Sequence, residues 1–478
     1  MKLKRDTQPE NPDLLAPFED YLRRRGPELF APGRPVTAAR APGRIDVMGG
    51  IADYSGSVVF EGPLRRAAVV AFQPRNDGRL VAHSTTFEDG PASADVDTNL
   101  ADLREPSGDF LPYADLRDAL ASDEEAAWAA YLFGALPVLE KERVHRFDGG
   151  TTFLLWSDIP IGVGVSSSAA LEVAAMYAAL SHFRLELPGD RFSGLAQMVE
   201  NEVVGAPCGI MDQVTSALGE SGKLLALRCQ PCDLLGQHEL PDGIRVFGLS
   251  SRVEHSVAGA AYAAARISAF MGLKIILTEK RNRGLELTEE DHYLCNLSPE
   301  EYIAEYRHLL PERVGGREFL DTWGETIDSV TTVDPEATYR VRAGTDHPIS
   351  ENHRVKAFIA CMDRARAGDR TALIEAGGLM YASHWSYGEN CGLGCAETDL
   401  IVRLVRERGP EHGLYGAKIT GGGSGGTVAI LADAEAEPTV RGIAEAYLEA
   451  TDLEPDIFAD TSPGAYAFGP VTYRFEPE

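Results

Sequence analysis

The sequence predicts an α+β fold in two lobes, and three observations carry that prediction. Short β-branched or apolar runs separated by Gly, Pro and Asn fill the stretch from Val36 to Ser84, the pattern of mixed, mostly antiparallel sheet. Gly-rich turns open directly into Ala-rich helices further along the chain. At 478 residues the chain exceeds what one hydrophobic core usually serves, so two domains are expected, 1–235 and 236–478.

In chain order, Phe18 to Arg25 is a helical patch, and Val36 to Ala41 a strand entering a loop, Ala41 to Gly56, with the sequence APGRIDVMGGIADYSG. Val58 to Phe60, Ala67 to Phe72 and Leu80 to Ser84 are short strands. Ala126 to Glu140 has helical character, and Thr151 to Trp156 is a strand. A Gly/Ser loop, Pro160 to Ser168, leads into a helix at Ala169 to Phe183, and Glu200 to Gly219 is a loop opening another helix. The second half begins near Leu235, with a strand at Ile244 to Leu249 and a helix at Ala258 to Met271. Glu279 to Thr345 is charged, Pro-bearing and irregular, and reads as an insertion. Helices follow at Asn352 to Ala367, Arg370 to Ser383 and Glu397 to Glu407; strands Gly416 to Thr420 and Thr427 to Leu431 flank GGGSGG.

With 44% hydrophobic and 25% charged residues the chain is expected to be globular. Its 45 basic and 73 acidic residues give a formal charge of -28, which argues against nucleic acid or an anionic membrane as partner through a general basic surface. An anionic substrate needs a local cradle. Met1 to Asp13 has no apolar segment, and the best apolar run, Ala126 to Leu139, is too short to span a bilayer, so a cytoplasmic location is expected. The seven cysteines form no regular framework. Cys229 with Cys232 and Cys391 with Cys395 make a four-thiolate zinc site conceivable, although small buried residues are the preferred reading.

Three segments carry chemistry. Pro160 to Ala170, PIGVGVSSSAA, has the makings of an anion cradle: glycines turn backbone N–H groups toward a phosphate, and the helix that follows aims its positive end there. It lacks the GK[ST] ending of a Walker A loop, and a flexible loop capping a helix is the alternative. In Glu200 to Gln213, ENEVVGAPCGIMDQ, Asp212 follows apolar Ile210 and Met211, which suits a partly buried acid; Glu200 and Glu202 also fit as surface acids. Gly421 to Gly426 is longer than a hairpin turn needs, which points to close backbone approach.

In this order the segments resemble the GHMP small-molecule kinases, galactokinase branch. APGR at Ala41 to Arg44 with Asp53 and Tyr54 resembles the first family motif, and PIGVGVSSSAALE the second. CGIMDQ at Cys208 to Gln213 resembles the base-bearing segment, and AKITGGGSGG at Ala417 to Gly426 the third motif. WxxYxxG at Trp128 to Gly134, HSVAGAAY at His255 to Tyr262 and LMYASHWS at Leu379 to Ser386 also match. The chain is similar as well to the kinase part of the plant-type L-arabinokinase subgroup, including YLCNLSP at Tyr293 to Pro299 and HPIxENxRVKAF at His347 to Phe358, which assigns the insertion to that subgroup. The glycosyltransferase-like half of those plant proteins is absent from this sequence, so a stand-alone kinase is expected.

The resemblance implies a two-lobed GHMP kinase fold with the active site between the lobes, ATP and Mg²⁺ as cofactors, and transfer of the γ-phosphoryl group to the anomeric hydroxyl of a sugar. It places Gly162, Gly164, Val165, Ser166, Ser167, Ser168 and Ala169 on the phosphates, Trp128 and Tyr131 near adenine, and Ser168 with Glu200 on the metal. Asp212 becomes the base with Arg44 beside it; Arg44, Asp53, Gly209, Asp212 and Tyr262 face the sugar; Gly421, Gly422 and Gly423 form the active-site glycine loop. Galactokinases carry GEHTDY where this chain has GGIADY, and their acid at the place of Gly50 contacts the hydroxymethyl side of galactose. L-Arabinopyranose has no hydroxymethyl group, and Ile51 would close the space, so phosphorylation of L-arabinose is expected. The alternatives are a galactokinase or another pentose or uronate 1-kinase and, outside catalysis, a sugar sensor; intact Ser166 to Ala170 and Asp212 disfavour the sensor. The partners expected are sugar and ATP, in a monomer or homodimer.

Overall fold

The computed structural model describes residues 1–7, 9, 11–87, 92–253 and 259–476. The strands of the first half are β1 (Lys2–Arg5), β2 (Val36–Met48), β3 (Val58–Pro74), β4 (Arg79–Ser84), β5 (Asp95–Asn99), β6 (Thr151–Ser157), β7 (Lys223–Arg228) and β8 (Asp233–Glu239). They are followed by β9 (Ile244–Ser250), β10 (Val314–Gly315), β11 (Thr338–Tyr339), β12 (Leu414–Ile419), β13 (Thr427–Asp433), β14 (Ile457–Phe458) and β15 (Val471–Glu476). Nine of them form one sheet in the order β1-β15-β2-β3-β6-β4-β5, with β7 joined to β3 and β8 to β7; β12-β13-β9-β14 form a second. All pairings are antiparallel except β4 with β6, so the expected mixed, mostly antiparallel α+β architecture stands.

Two stretches differ from the sequence reading, both because burial overrides local breakers. Ala41 to Met48, expected as loop, continues β2. Every residue of that strand is buried, so its backbone groups need a ladder partner. Register shifts against β3 between Pro42 and Arg44 and between Asp46 and Met48 absorb the Pro-Gly pair as bulges. Val58 to Phe60 and Ala67 to Phe72 are parts of one 17-residue strand, whose start pairs with β7 and whose end pairs with β6, carrying it through Gly62 and Pro63.

The helices lengthen likewise. The one expected at Ala258 to Met271 runs Ala260–Asn282, with Ala258 outside the described residues. The one expected from Asn352 starts at Val341 and passes through Pro348, the breaker that hid its first turns. The irregular segment therefore shrinks to 283–340, which holds short helical turns, helix Gly316–Trp323 and the β10–β11 pair. Its Tyr302, Tyr306, Leu310, Phe319 and Tyr339 bury with helix Ala260–Asn282 in an apolar cluster that also takes in Ile51, Tyr54 and Tyr387. The sheets do not divide the chain at one point: β8 spans 235/236, and β15 returns to the first sheet. Among the described residues, Ala260–Asn282 is the one helix long and apolar enough to cross a membrane, and 72% of its most apolar window is buried inside the protein.

Helix Ser167–His182 packs across β2 and β3, which places the Gly/Ser loop over Arg44. Helix Thr371–Ser386 lies against β12 through paired glycines, Gly377 and Gly416. A Cβ on Gly377 would overlap the Tyr415 carbonyl oxygen, whereas one on Gly378 meets nothing within 4 Å. Gly377→Ala is expected to destabilise the fold by about 1–3 kcal/mol, because helix and strand must separate. Gly378→Ala should be neutral or stabilising by up to about 1 kcal/mol, since it removes a flexible helical residue. Denaturant melts of the two neighbours check the contrast.

Candidate active site

The turn between β6 and helix Ser167–His182 is left-handed at Gly162 (φ 74°), Gly164 (φ 73°) and Ser166 (φ 57°). Glycine adopts this freely and serine at a cost. Ser166 is held there because its hydroxyl donates to Asp212 Oδ2. Ser167 and Ser168 open the helix, where unpaired N–H groups and the positive end of the dipole favour an anion. Both line a cavity of about 270 Å³ shared with Arg44, Asp53, Glu200, Gly209, Asp212 and Tyr262.

Asp212 enters from the first turn of helix Met211–Leu218. Its Oδ1 accepts from Arg44 Nε at 2.8 Å, with Arg44 Nη2 also 2.8 Å away. Arg44 Nη1 donates to the Gly164 carbonyl at 3.0 Å, and Glu61 Oε2 lies 3.2 Å from Nε on the far side. Burial alone would lower the guanidinium pKa; Asp212 and then Glu61 more than offset this, so it rises. On paired strands, Asp46 sits opposite Glu61, and Lys418 binds Asp46 at 2.6 Å with both side chains sealed from solvent. Three acids thus face two cations. Glu61, whose oxygens have no hydrogen-bond partner, is pushed well above the carboxylate range by burial and then by Asp46.

On the other side of the cavity Asp53 is buried, and its carboxyl is raised to about 6 by burial and then by Asp212. Gly209 has to be glycine here, since a Cβ would overlap the Asp53 carboxylate. Tyr262 packs edge-on to Tyr54. Behind them Arg266 donates to the Cys208 carbonyl at 3.3 Å and forks onto Asp328 at 2.8 and 2.7 Å. Asp328 comes from the segment 283–340, so that insertion braces this wall. Ile51 lines the cavity with φ 59°, a strained conformation for a β-branched residue. The preceding backbone is anchored on both flanks: Gly49 N–H donates to Glu351 Oε1 at 3.2 Å, and the Gly50 carbonyl meets His347 Nε2 at 3.1 Å.

Glu200 projects from the turn Val199–Val204 into the cavity, buried, its carboxyl raised to about 7 by burial and then by Asp212. Gln213 Nε2 bridges it, at 2.8 Å, to Glu172 at 3.1 Å, and Glu172 Oε1 has no hydrogen-bond partner. A buried carboxylate beside a serine hydroxyl at the mouth of an anion loop is a donor set for a hard cation that keeps waters and phosphate oxygens as its other ligands.

The comparisons with known proteins agree with this geometry. The model of the GHMP kinases N terminal domain matches residues 130–220, and that of the GHMP kinases C terminal domain residues 369–449. L-Arabinokinase of Arabidopsis thaliana is 38% identical over 93% of this chain, which spans 47% of that protein's length. Galactokinase of Chloroflexus aggregans is 32% identical, with 88% of each chain covered. The chain belongs to the GHMP kinases. The crystal structure of Lactococcus lactis galactokinase complexed with galactose shares the fold, with a TM-score of 0.73 at 20% identity, over 94% of this chain and 99% of that one.

In this GHMP kinase most of the expected site residues meet in one cavity, and several do not. Trp128 is buried outside it, its indole donating to the Ser93 carbonyl at 2.8 Å and its ring packed on Phe87; Tyr131, one helical turn on, is the member of the pair that lines the cavity. Val165 and Ala169 are buried behind the loop, Val165 giving its carbonyl to Arg44 N–H at 3.0 Å. Gly421 and Gly422 line the cavity, whereas Gly423 packs against Leu393 and Tyr387. Glu202 lies outside, its carbonyl accepting from Arg117. Of the motif His255 to Tyr262, residues 255–258 fall outside the described residues. The seven cysteines are free, and no metal-holding group of three or more His, Cys, Asp or Glu exists among the described residues. The sequence reading missed Glu61, Asp46, Lys418, Arg266 and Asp328; for the first four the signal was a charge inside an apolar strand or helix, whereas Asp328 lies in an irregular stretch that carries no such signal.

Asp53 and Glu200 bind a proton more tightly in the fold than their ordinary values of 3.8 and 4.5 allow. Their contribution favours folding below pH about 4 and is lost as pH rises through about 6 and about 7. Asp53→Asn and Glu200→Gln, which cannot ionise, are expected to gain melting temperature relative to the parent from pH 5 to pH 8, measured on the ligand-free protein.

Proposed function

We propose that this chain is a sugar 1-kinase that transfers the γ-phosphoryl group of ATP to the anomeric hydroxyl of L-arabinose, giving L-arabinose 1-phosphate and ADP. The observation that carries the reading is the shared cavity: Asp212, clamped by Arg44 and Ser166, faces the same space as Asp53 and the phosphate loop, against a wall made by Ile51. Support for L-arabinose also comes from the 38% identity to L-arabinokinase across nearly the whole of this chain.

In this mechanism the Gly162 to Ser168 turn receives the β and γ phosphates on backbone N–H groups and hydroxyls. Asp212 takes the proton of the anomeric hydroxyl as that oxygen attacks phosphorus in line with the departing ADP oxygen. Arg44 fixes the carboxylate and offsets charge developing on the transferred group. Asp53 accepts hydrogen bonds from ring hydroxyls, and Tyr262 closes the cavity over them. Mg²⁺, when bound, neutralises phosphate charge, and Ser168 and Glu200 are the residues that would hold it. The free cysteines suit a reducing compartment, and we place the enzyme in the cytoplasm.

A coupled ADP assay with L-arabinose, D-galactose, D-glucuronate and D-galacturonate tests the reading. L-Arabinose should give the highest kcat/KM, about 10- to 150-fold above D-galactose; a higher value for D-galactose overturns it. Absence of sugar-dependent ADP release identifies a sensor instead. Asp212→Asn should lower kcat by about 10² to 10⁴ while the sugar still binds. Asp328→Ala leaves Arg266 buried and unpaired, and is expected to raise the sugar KM about tenfold with the ATP KM within about twofold.

A further inference from the structure

Position 50 is glycine because another residue occupies its side-chain volume. A Cβ built on Gly50 would overlap both the Tyr387 hydroxyl oxygen and Asp46 Oδ2, and would stand 3.2 Å from Tyr387 Cζ. Tyr387 is wholly buried and opens the turn that ends helix Thr371–Ser386. Its hydroxyl lies 3.2 Å from Asp46 Oδ2 and 3.2 Å from the Gly421 carbonyl, so its single proton is held between two acceptors. Asp46 is fixed in turn by Lys418, whose ammonium sits 5.1 Å over the Tyr387 ring. His347 packs edge-on against that ring at 5.4 Å and touches the Gly50 carbonyl, while its Nδ1 pairs with Ser386 Oγ at 2.8 Å. The phenol is therefore clamped at its tip, over its face and along its edge.

This lock stands directly behind the cavity. Ile51 follows Gly50, and Gly421 accepts from the phenol; both line the cavity. The sequence reading gave Ile51 the task of closing a space beside Gly50. In the structure Tyr387 fills that space, and Ile51 is the wall in front of it.

We propose that Tyr387 is a specificity-determining residue of the sugar site: its phenol, with the Asp46 carboxylate that it helps to hold, excludes a side chain at position 50, so the wall beside Ile51 presents no polar partner to a substituent on the sugar ring. A hydroxymethyl or carboxylate group pressed against that wall loses water and gains no hydrogen bond, whereas a pentopyranose has nothing there to desolvate. The inference rests on the sugar 1-kinase reading above and adds to it the residue that enforces the choice.

The test compares kcat/KM for D-galactose and L-arabinose in the parent, Tyr387→Phe, Tyr387→Leu and Gly50→Glu/Tyr387→Leu. Phenylalanine keeps the ring and loses the hydroxyl, and the galactose-to-arabinose ratio should stay within about threefold of the parent's. Leucine lacks the Cζ and hydroxyl atoms that meet position 50 while keeping an apolar core side chain. The Leu single variant should raise the ratio at least about threefold, and the double variant, with a carboxylate in the vacated volume, at least about tenfold. Folded Leu variants whose ratio stays at the parent's value overturn the proposal, as does a Phe variant that shifts as far as Leu. If the Leu variants do not fold, Gly50→Ala is compared in the parent and in Tyr387→Phe: it should melt several degrees lower in the parent and cost less once the phenol oxygen, its nearest clash, is gone, and an equal cost in both backgrounds overturns the claim that Tyr387 owns the volume. A parent that turns over D-galactose better than L-arabinose, or neither sugar, removes the preceding reading and this one with it. A parent that prefers L-arabinose with an unmoved ratio in the variants removes this one alone.

Discussion

The site depends on keeping a guanidinium charged where water does not reach. Arg44 is 2% exposed, and a lone cation at such depth is prohibitive. It persists because Asp212 lies in front of it, Glu61 behind it and the Gly164 carbonyl beside it. These partners come from a helix, a strand and the phosphate loop, so satisfying one charge fixes three elements in register. With Lys418 paired to Asp46 next door, three acids and two cations share the low-dielectric space, and Glu61, the acid without hydrogen bonds, is pushed upward by burial and then by Asp46. Asp212 makes its close contacts with Arg44 and Ser166 at the cavity surface.

The two sheets also meet at this point through close backbone approach. Gly421 carries φ 67°, and a Cβ on it would be 2.8 Å from the Gly164 carbonyl and 3.2 Å from Arg44 Nη2. Thr427 donates from its hydroxyl to the Val163 carbonyl at 2.7 Å. The glycine loop between β12 and β13 thus rests on the phosphate loop, and side chains there would pry them apart. The segment 283–340 performs the complementary task from outside, packing its apolar residues with helix Ala260–Asn282 and with Asp328 holding Arg266 against the Cys208–Gly209 backbone.

Much of this was legible in the chain, for physical reasons that differ by residue. The turn that lines the cavity is visible because glycines and serines lead directly into an Ala-rich run, and Asp212 because an acid after Ile210 and Met211 is misplaced on a surface. Trp128 and Tyr131 were legible as a pair, but not that, one turn apart on a short, broken helix, the first would bury against Phe87 and the second reach the cavity. Glu61 and Lys418 each interrupt an apolar strand, a visible anomaly; their partners lie on other strands, and spacing along the chain does not say which charges will meet. Gly50 read as a missing side chain, because the residue that fills its place, Tyr387, arrives from a helix turn more than three hundred positions later in the sequence.

The placement of β15 bears on how the molecule is made. This strand, the last in the chain, lies between β1 and the start of β2, pairing Val471 with Ala38 and Tyr473 with Val36. During synthesis the early strands leave the ribosome with nearly the whole chain still to come, and β1 has no neighbour on the sheet until β15 appears. The strand that carries Arg44 therefore waits with one edge open, a surface that other strands can join. Closing the first sheet requires the longest loop closure among its strand pairings, and β1 and the start of β2 gain their shared neighbour only when β15 docks.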